Sequence, residues 1–163
     1  MHKAVFFKSI LYTILLAILC GVLVIYIEDT NKNFNDTKWW KQATPEQVKE
    51  EIIKGSFVNG IIPEKDMSPL MYAAMYNLNP DVIEILIKHN ADINIQTTVG
   101  YSALLLAAKY NENPEILEIL IKHGADVNAK DKVENKTVLD YAKENPKIYN
   151  TETYKHLQEL MDK

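Results

Sequence analysis

Apolar and polar positions follow one another in the same order twice. SPLMYAAMYNLNPDVIEILIKHNADIN (68–94) returns 34 residues later as SALLLAAKYNENPEILEILIKHGADVN (102–128). In each copy a short apolar run ends in paired alanines, Ala73-Ala74 or Ala107-Ala108. A proline follows, Pro80 or Pro114. Beyond it, Val82, Ile83, Leu86 and Ile87 fall at helical spacing, as do Ile116, Leu117, Leu120 and Ile121. Ser68 suits an N-cap and Pro69 the first helical position. Asn90 and Gly124 suit a left-handed helix end. The small alanines allow adjacent helices to approach closely. Each copy thus predicts two short helices and a turn. Such a unit buries its apolar face only against a neighbour, so the repetition predicts a stack and favours a binding scaffold over a catalytic pocket.

These residues resemble ankyrin repeats, whose unit carries T-P-L-H-x-A followed by two antiparallel helices. Ser68-Pro69-Leu70-Met71-Tyr72-Ala73-Ala74 and Ser102-Ala103-Leu104-Leu105-Leu106-Ala107-Ala108 stand on that motif. Asn90-Ala91-Asp92-Ile93-Asn94 and Gly124-Ala125-Asp126-Val127-Asn128 stand on the closing G-A-D-x-N. Met71 and Leu105 replace the motif's histidine and its side-chain hydrogen bond. One extra residue sits between the helices, in Asn77–Pro80 and Asn111–Pro114. Asp66, Gly100 and Asn135 fall at the family's turn-glycine position, where positive φ is needed.

Two flanking units extend the stack. Thr44-Pro45 starts a charged helix with Val48, Ile52 and Ile53 on one face. Val48 lies 34 residues before Val82, so this reads as the second helix of a truncated repeat. Thr137-Val138-Leu139-Asp140-Tyr141-Ala142 restarts the motif after a one-residue insertion, with a looser loop at Asn145-Pro146. A last helix carries Tyr154, Leu157, Leu160 and Met161, with Lys155, Gln158, Glu159, Asp162 and Lys163 as the polar outer dressing that a terminal repeat needs. The expected fold is an all-α ankyrin-repeat solenoid over 44–163: a partial repeat 44–62, repeats 63–96 and 97–130, and a C-terminal repeat 131–163.

One transmembrane helix is expected before it. Residues 9–27, SILYTILLAILCGVLVIYI, carry no charge. A helix of that length rises roughly 28 Å, close to a bilayer's hydrocarbon thickness. Tyr12 and Tyr26 lie near its two ends, as interfacial aromatics do. A cleaved signal has a shorter apolar core and a small-residue site, whereas this run ends in Ile25-Tyr26-Ile27. Leu19 before Cys20 does not resemble a lipoprotein signal. The head 1–8 carries Lys3 and Lys8, and Lys32, Lys38 and Lys41 follow the run, so the positive-inside rule is nearly balanced. The short basic head favours a cytoplasmic N-terminus, with the repeats on the other side. That is the periplasmic face of an inner membrane in a bacterium. The richness in Lys, Asn and Ile without Arg is compatible with an AT-rich genome. Residues 28–43 read as a polar linker. Trp39 and Trp40 interrupt it, as a lid on the first repeat or as contacts for membrane or partner. Asn35-Asp36-Thr37 and Asn135-Lys136-Thr137 match glycosylation sequons, a frequent chance match.

Charge and chemistry narrow the function. The formal net charge is −4, and every acidic residue follows the apolar run. An acidic soluble part argues against nucleic acid, which favours a basic surface. The lone Cys20 excludes a disulfide framework. Among His2, His89, His123 and His156, the middle pair recurs near helix C-termini, where a cationic or hydrogen-bonding side chain suits the dipole. With no H-E-x-x-H, paired Cys or phosphate loop, neither metal, cofactor, small-molecule substrate nor enzymatic activity is expected.

Resemblance implies a protein partner held by finger turns and inner helices. Carried over, the finger positions are Glu64, Lys65, Met67, Thr98, Val99 and Tyr101. The inner-helix positions are Met75, Tyr76, Lys109 and Tyr110, with His89 and His123 bordering the same groove. Tyr and Met are enriched at interfaces, although tyrosines also serve simply to cover a stack. Two readings follow: a monomeric membrane-tethered adaptor or scaffold, or a secreted host-directed effector or structural interaction protein. An effector is expected to carry a secretion signal in a flexible tail, and the short tails favour the first.

Overall fold

The computed structural model describes residues 33–62 and 65–162. The head 1–8, the apolar run 9–27 and Glu64 lie outside those residues. Among the described residues, no helix is long and apolar enough to cross a membrane.

The described chain is helical, with no strand beyond isolated antiparallel bridges at Ile62–Met67 and Lys130–Thr137. Helix pairs succeed one another: α1 (Thr37–Gln42) with α2 (Pro45–Ile53), then α3 (Pro69–Tyr76) with α4 (Pro80–Lys88). They continue as α5 (Ala103–Tyr110) with α6 (Glu115–Lys122), and α7 (Val138–Glu144) with α8 (Glu152–Met161). First helices pack on first helices, α1 on α3, α3 on α5 and α5 on α7. Second helices do the same, α2 on α4, α4 on α6 and α6 on α8. These contacts build a two-row stack, as the repetition predicts.

Local chemistry sets each boundary. The hydroxyls of Ser68, Ser102 and Thr137 cap α3, α5 and α7 by accepting from the N–H three residues on. At Ser68 the missing histidine is partly replaced, because the Met71 sulfur accepts the Ser68 N–H at 3.4 Å. The left-handed positions are as predicted: Asn90 at φ 65° and Gly124 at 91° end their helices, and Asp66, Gly100 and Asn135 turn the fingers at 54°, 88° and 57°. Gly100 is favoured on two counts, since a Cβ there would also lie a tight 3.0 Å from the Lys132 nitrogen. Leu104, Leu117, Leu120, Ile83 and Leu86 are fully buried between the rows.

The beginning of the stack differs from expectation. The end of the segment read as linker is α1, and it packs on α3. Trp40 is fully buried, and its indole N–H donates to the Phe34 carbonyl at 2.9 Å. Phe34, Trp39 and Trp40 stack with ring centroids 4.9–5.7 Å apart and close this end of the stack. The first repeat is therefore a complete helix pair rather than a truncated one. Its six-residue first helix is too short to show helical periodicity within a polar stretch.

The first repeat also lacks the extra connector residue. Ala43 ends α1 where Asn77 ends α3, yet Pro45 opens α2 where Pro80 opens α4. The offset therefore grows from 34 to 35 residues. Val48 is the counterpart of Ile83, not of Val82, and Glu51 that of Leu86; both Val48 and Glu51 are buried. Glu51 is held by Lys54 at 2.9 Å.

Candidate partner-binding site

The connectors come first, because they fix the surface beside them. Asn77, Asn111 and Asn145 follow their first helices at equal steps of 34 residues. Each amide NH2 donates twice to the preceding repeat: Asn77 to the carbonyls of Trp40 and Ala43, Asn111 to those of Ala74 and Asn77, Asn145 to those of Ala108 and Asn111. The side-chain oxygens accept the N–H two residues on, at 2.8–3.0 Å. All three asparagines are buried, so the ladder satisfies buried carbonyls that helix ends leave unpaired. What the sequence shows as an extra connector residue is the space this ladder occupies. The recurrence of Asn at 34 residues was the available signal.

Beside the ladder lies an open cleft of about 400 Å³ lined by Lys41, Met75, Tyr76, Leu78, Tyr110 and Glu112. Met75, Tyr76 and Tyr110, which the repeat register assigns to one face, meet here. Leu78 and Tyr110 are exposed large apolar side chains. Lys41 lies over the Tyr76 ring at 5.7 Å. Lys41, Leu78 and Glu112 are additions from the structure; the first sits on a helix hidden in the apparent linker, and the others on connectors.

Towards the fingers the same row carries a second cluster. Lys109 donates to the Tyr101 hydroxyl at 2.9 Å and lies 4.7–5.3 Å from the ring centres of Tyr101, Tyr110 and Tyr141. Burial alone would lower the lysine's pKa, but the Tyr101 hydroxyl and neighbouring Tyr110 outweigh it and hold the pKa above its usual value. Tyr101 and Tyr141 share a hydroxyl hydrogen bond of 3.1 Å, and Tyr141 donates on to Asp131 at 3.0 Å. Burial pushes the Tyr141 phenol pKa up, reinforced by its bonds to Tyr101 and Asp131. Asp131 is buried, which would raise its pKa. The N–H groups of Glu134, Lys136 and Val133, with the Tyr141 hydroxyl, prevail and hold it at about 2. Tyr141 and Asp131 thus fix the last finger and orient Tyr101. Tyr141 stands where Tyr72 and Leu106 stand, the variable position of the motif, and an aromatic there was the signal for it.

The remaining expected residues divide. Lys65, Thr98 and Val99 are exposed on finger tips, and Met67 is half-buried at its finger's base. The Thr98 N–H donates to Asp66, and the Val99 carbonyl accepts from the Lys132 N–H at 2.9 Å, so adjacent fingers are tied through backbone. His123 lies away from the tyrosine cluster. His123 ends α6 and meets Glu84 on α4 at 3.2 Å, joining second helices rather than the tyrosine cluster. His156 repeats that contact with Glu118 at 2.9 Å. His89 caps α4, and the first-repeat counterpart of Glu84 is Lys49, so the register does not renew the pair there.

The family model for ankyrin repeats (3 copies) matches residues 40–131 and again 70–158. No curated protein matches the chain. The matched ranges together run from within α1 to within α8 and take in every finger described above, so this chain belongs to the ankyrin-repeat family, whose members generally act as non-enzymatic modules for binding other proteins.

Proposed function

We propose that the protein is a monomeric, membrane-tethered adaptor or scaffold that holds a protein partner on its first-helix row. The apolar run 9–27 supplies the tether, and the basic head before it orients the repeats to the far side of the membrane, the periplasm of a bacterial cell. The observation that carries the binding surface is the continuity from the Met75–Tyr76–Tyr110 cleft to the Lys109–Tyr101 cluster, with Tyr110 common to both. Tyr110 is 47% exposed although it stands on a helix whose residues 103–108 are buried. A rigid aromatic beside a cation pre-held by phenol rings suits an interface centre, where such anchors are worth about 2 kcal/mol or more.

Photo-crosslinking from position 110 in native membranes should capture one protein. Its affinity for the Tyr110→Ala chain should fall by about 30-fold or more, the equivalent of about 2 kcal/mol, with melting unchanged. Undiminished binding by a folded Tyr110→Ala chain would sink the proposed surface. Reporters fused to the C-terminus test the topology; activity only of one that works in the cytoplasm would reverse the orientation.

A further inference from the structure

The first repeat carries apolar side chains where the interior repeats carry polar ones. In the 35-residue register, Ile53 is the counterpart of Lys88 and Lys122, Phe57 of Asp92 and Asp126, and Ile61 of Gln96 and Lys130. That register holds through this segment. The Asn59 amide bonds the Asn90 carbonyl and the Asp92 N–H, as the Asn94 amide bonds the Gly124 carbonyl and the Asp126 N–H. All six polar counterparts are exposed. So are the three apolar residues, at 71% for Ile53, 55% for Phe57 and 42% for Ile61. The same scaffold thus carries Lys, then Asp, then Gln or Lys at these positions in its interior repeats.

Their place in the fold singles out an occupant. A two-residue connector, Ala43-Thr44, joins α1 to α2, which makes the pair antiparallel. The end of α2 therefore lies beside the start of α1, where the chain leads back towards the apolar run. Only residues 28–32 separate Ile27 from Asn33, a reach of at most roughly 22 Å. The start of α1 cannot swing away from its repeat, because Phe34 is buried against Trp39 and Trp40. A bilayer spanned by residues 9–27 would thus lie close to the very end of the repeat on which Ile53, Phe57 and Ile61 stand exposed.

We infer that Ile53, Phe57 and Ile61 form a lipid-facing foot that rests on the bilayer's interfacial region and fixes the tilt of the stack against the membrane. The inference rests on the tether reading above. It gives the interior repeats a set direction, with their first-helix row held above the surface. Apolar side chains at the headgroup boundary, on a body already held by a tether, bind through the area they bury there.

The test uses the full chain in phosphatidylcholine–phosphatidylglycerol vesicles. Nitroxides are placed at Ile53→Cys, Ile61→Cys or the interior control Gln96→Cys, each with Cys20→Ser, and separately on the native Cys20. Collision with oxygen, which concentrates in lipid, is compared with collision with a water-soluble nickel chelate. Labels at 53 and 61 should favour oxygen several-fold more than the label at 96. An oxygen preference at 53 and 61 equal to that at 96 would overturn the foot. So would immobilised labels at 53 and 61 broadened by spin–spin coupling without oxygen preference, the signature of a second copy of this chain. A Cys20 label deep in lipid with aqueous labels at 53 and 61 leaves the tether standing and removes only the foot. An aqueous Cys20 label removes both.

Discussion

The connector end of the stack and the finger end are built on different rules. At the connectors every repeat step uses the same atoms: one asparagine amide reaches back to two carbonyls, three times over, at 2.7–2.9 Å. Below the fingers Asn59 and Asn94 repeat one pair of bonds, but at the finger tips the ties differ. Asp66 accepts from Thr98, Lys132 bonds the backbone of Thr98 and Val99, and Asp131 gathers three N–H groups and the Tyr141 hydroxyl. A buried carbonyl presents the same need in every repeat and has few satisfactory answers. A finger tip faces water on one side, so its ties and its exposed residues are free to diverge. Identity marks the scaffold here, and divergence marks the surface available for recognition.

The largest expected effect breaks both ends together. Leu104 and Leu120 are buried between the rows, and Leu→Ala at either should cost about 2–5 kcal/mol. With so few repeats to share the loss, urea unfolding should shift by that amount; an unchanged midpoint in both variants would contradict the packing described. Next comes the ladder. Asn111→Ala leaves the Ala74 and Asn77 carbonyls and the Asn113 N–H without their partner, each loss worth about 1–3 kcal/mol when buried. The expected total is about 2–4 kcal/mol, with some relief from water. Asn145→Ala, one step from the end of the stack, should cost less. Equal costs would show that the ladder does not act through burial.

The finger end should answer to acid instead. The folded Asp131 carboxyl lies at about 2, below the usual unfolded value of about 3.9. A depressed carboxylate contributes stability that is fully present above about pH 4 and is lost as pH falls towards 2. Asp66 and Asp140, also held low by hydrogen bonds from Thr98 and Thr137, act in the same direction. Asp131→Asn should therefore lower stability at neutral pH by about 1–3 kcal/mol and flatten the acid side of a melting-temperature profile. A slope identical to the parent's would remove Asp131 from the account. Tyr101→Phe sharpens the comparison most finely. It removes the hydroxyl shared by Lys109 and Tyr141, for about 1 kcal/mol, and should lower the Lys109 pKa, which a lysine-selective NMR titration reads directly.

How much of this was legible beforehand differs by element. The interior repeats were, down to the left-handed Asp66, Asn90, Gly100, Gly124 and Asn135, because turn and cap chemistry is local. The site residues Met75, Tyr76 and Tyr110 were assignable by register, since a repeat fixes which positions share a face. Lys41 was not, because it comes from a terminal unit whose pattern is shortened. The resemblance carries His123 to the groove, and only its contact with Glu84 places it on the other row.

The sequence by itself determined the repeat, the helix pairs from the second onward, their caps and the family. All of these rest on interactions within some ten residues or on exact recurrence. Tertiary structure alone decided the first repeat's register, the burial of Trp40 and Glu51, the carbonyls that each asparagine serves, and the gathering of three tyrosines round Lys109. The asparagine bonds join residues 34–37 positions apart, and Tyr101 meets Tyr141 across 40. They depend on which neighbours stacking brings within hydrogen-bond or van der Waals range, and a one-residue change in a connector is enough to alter them.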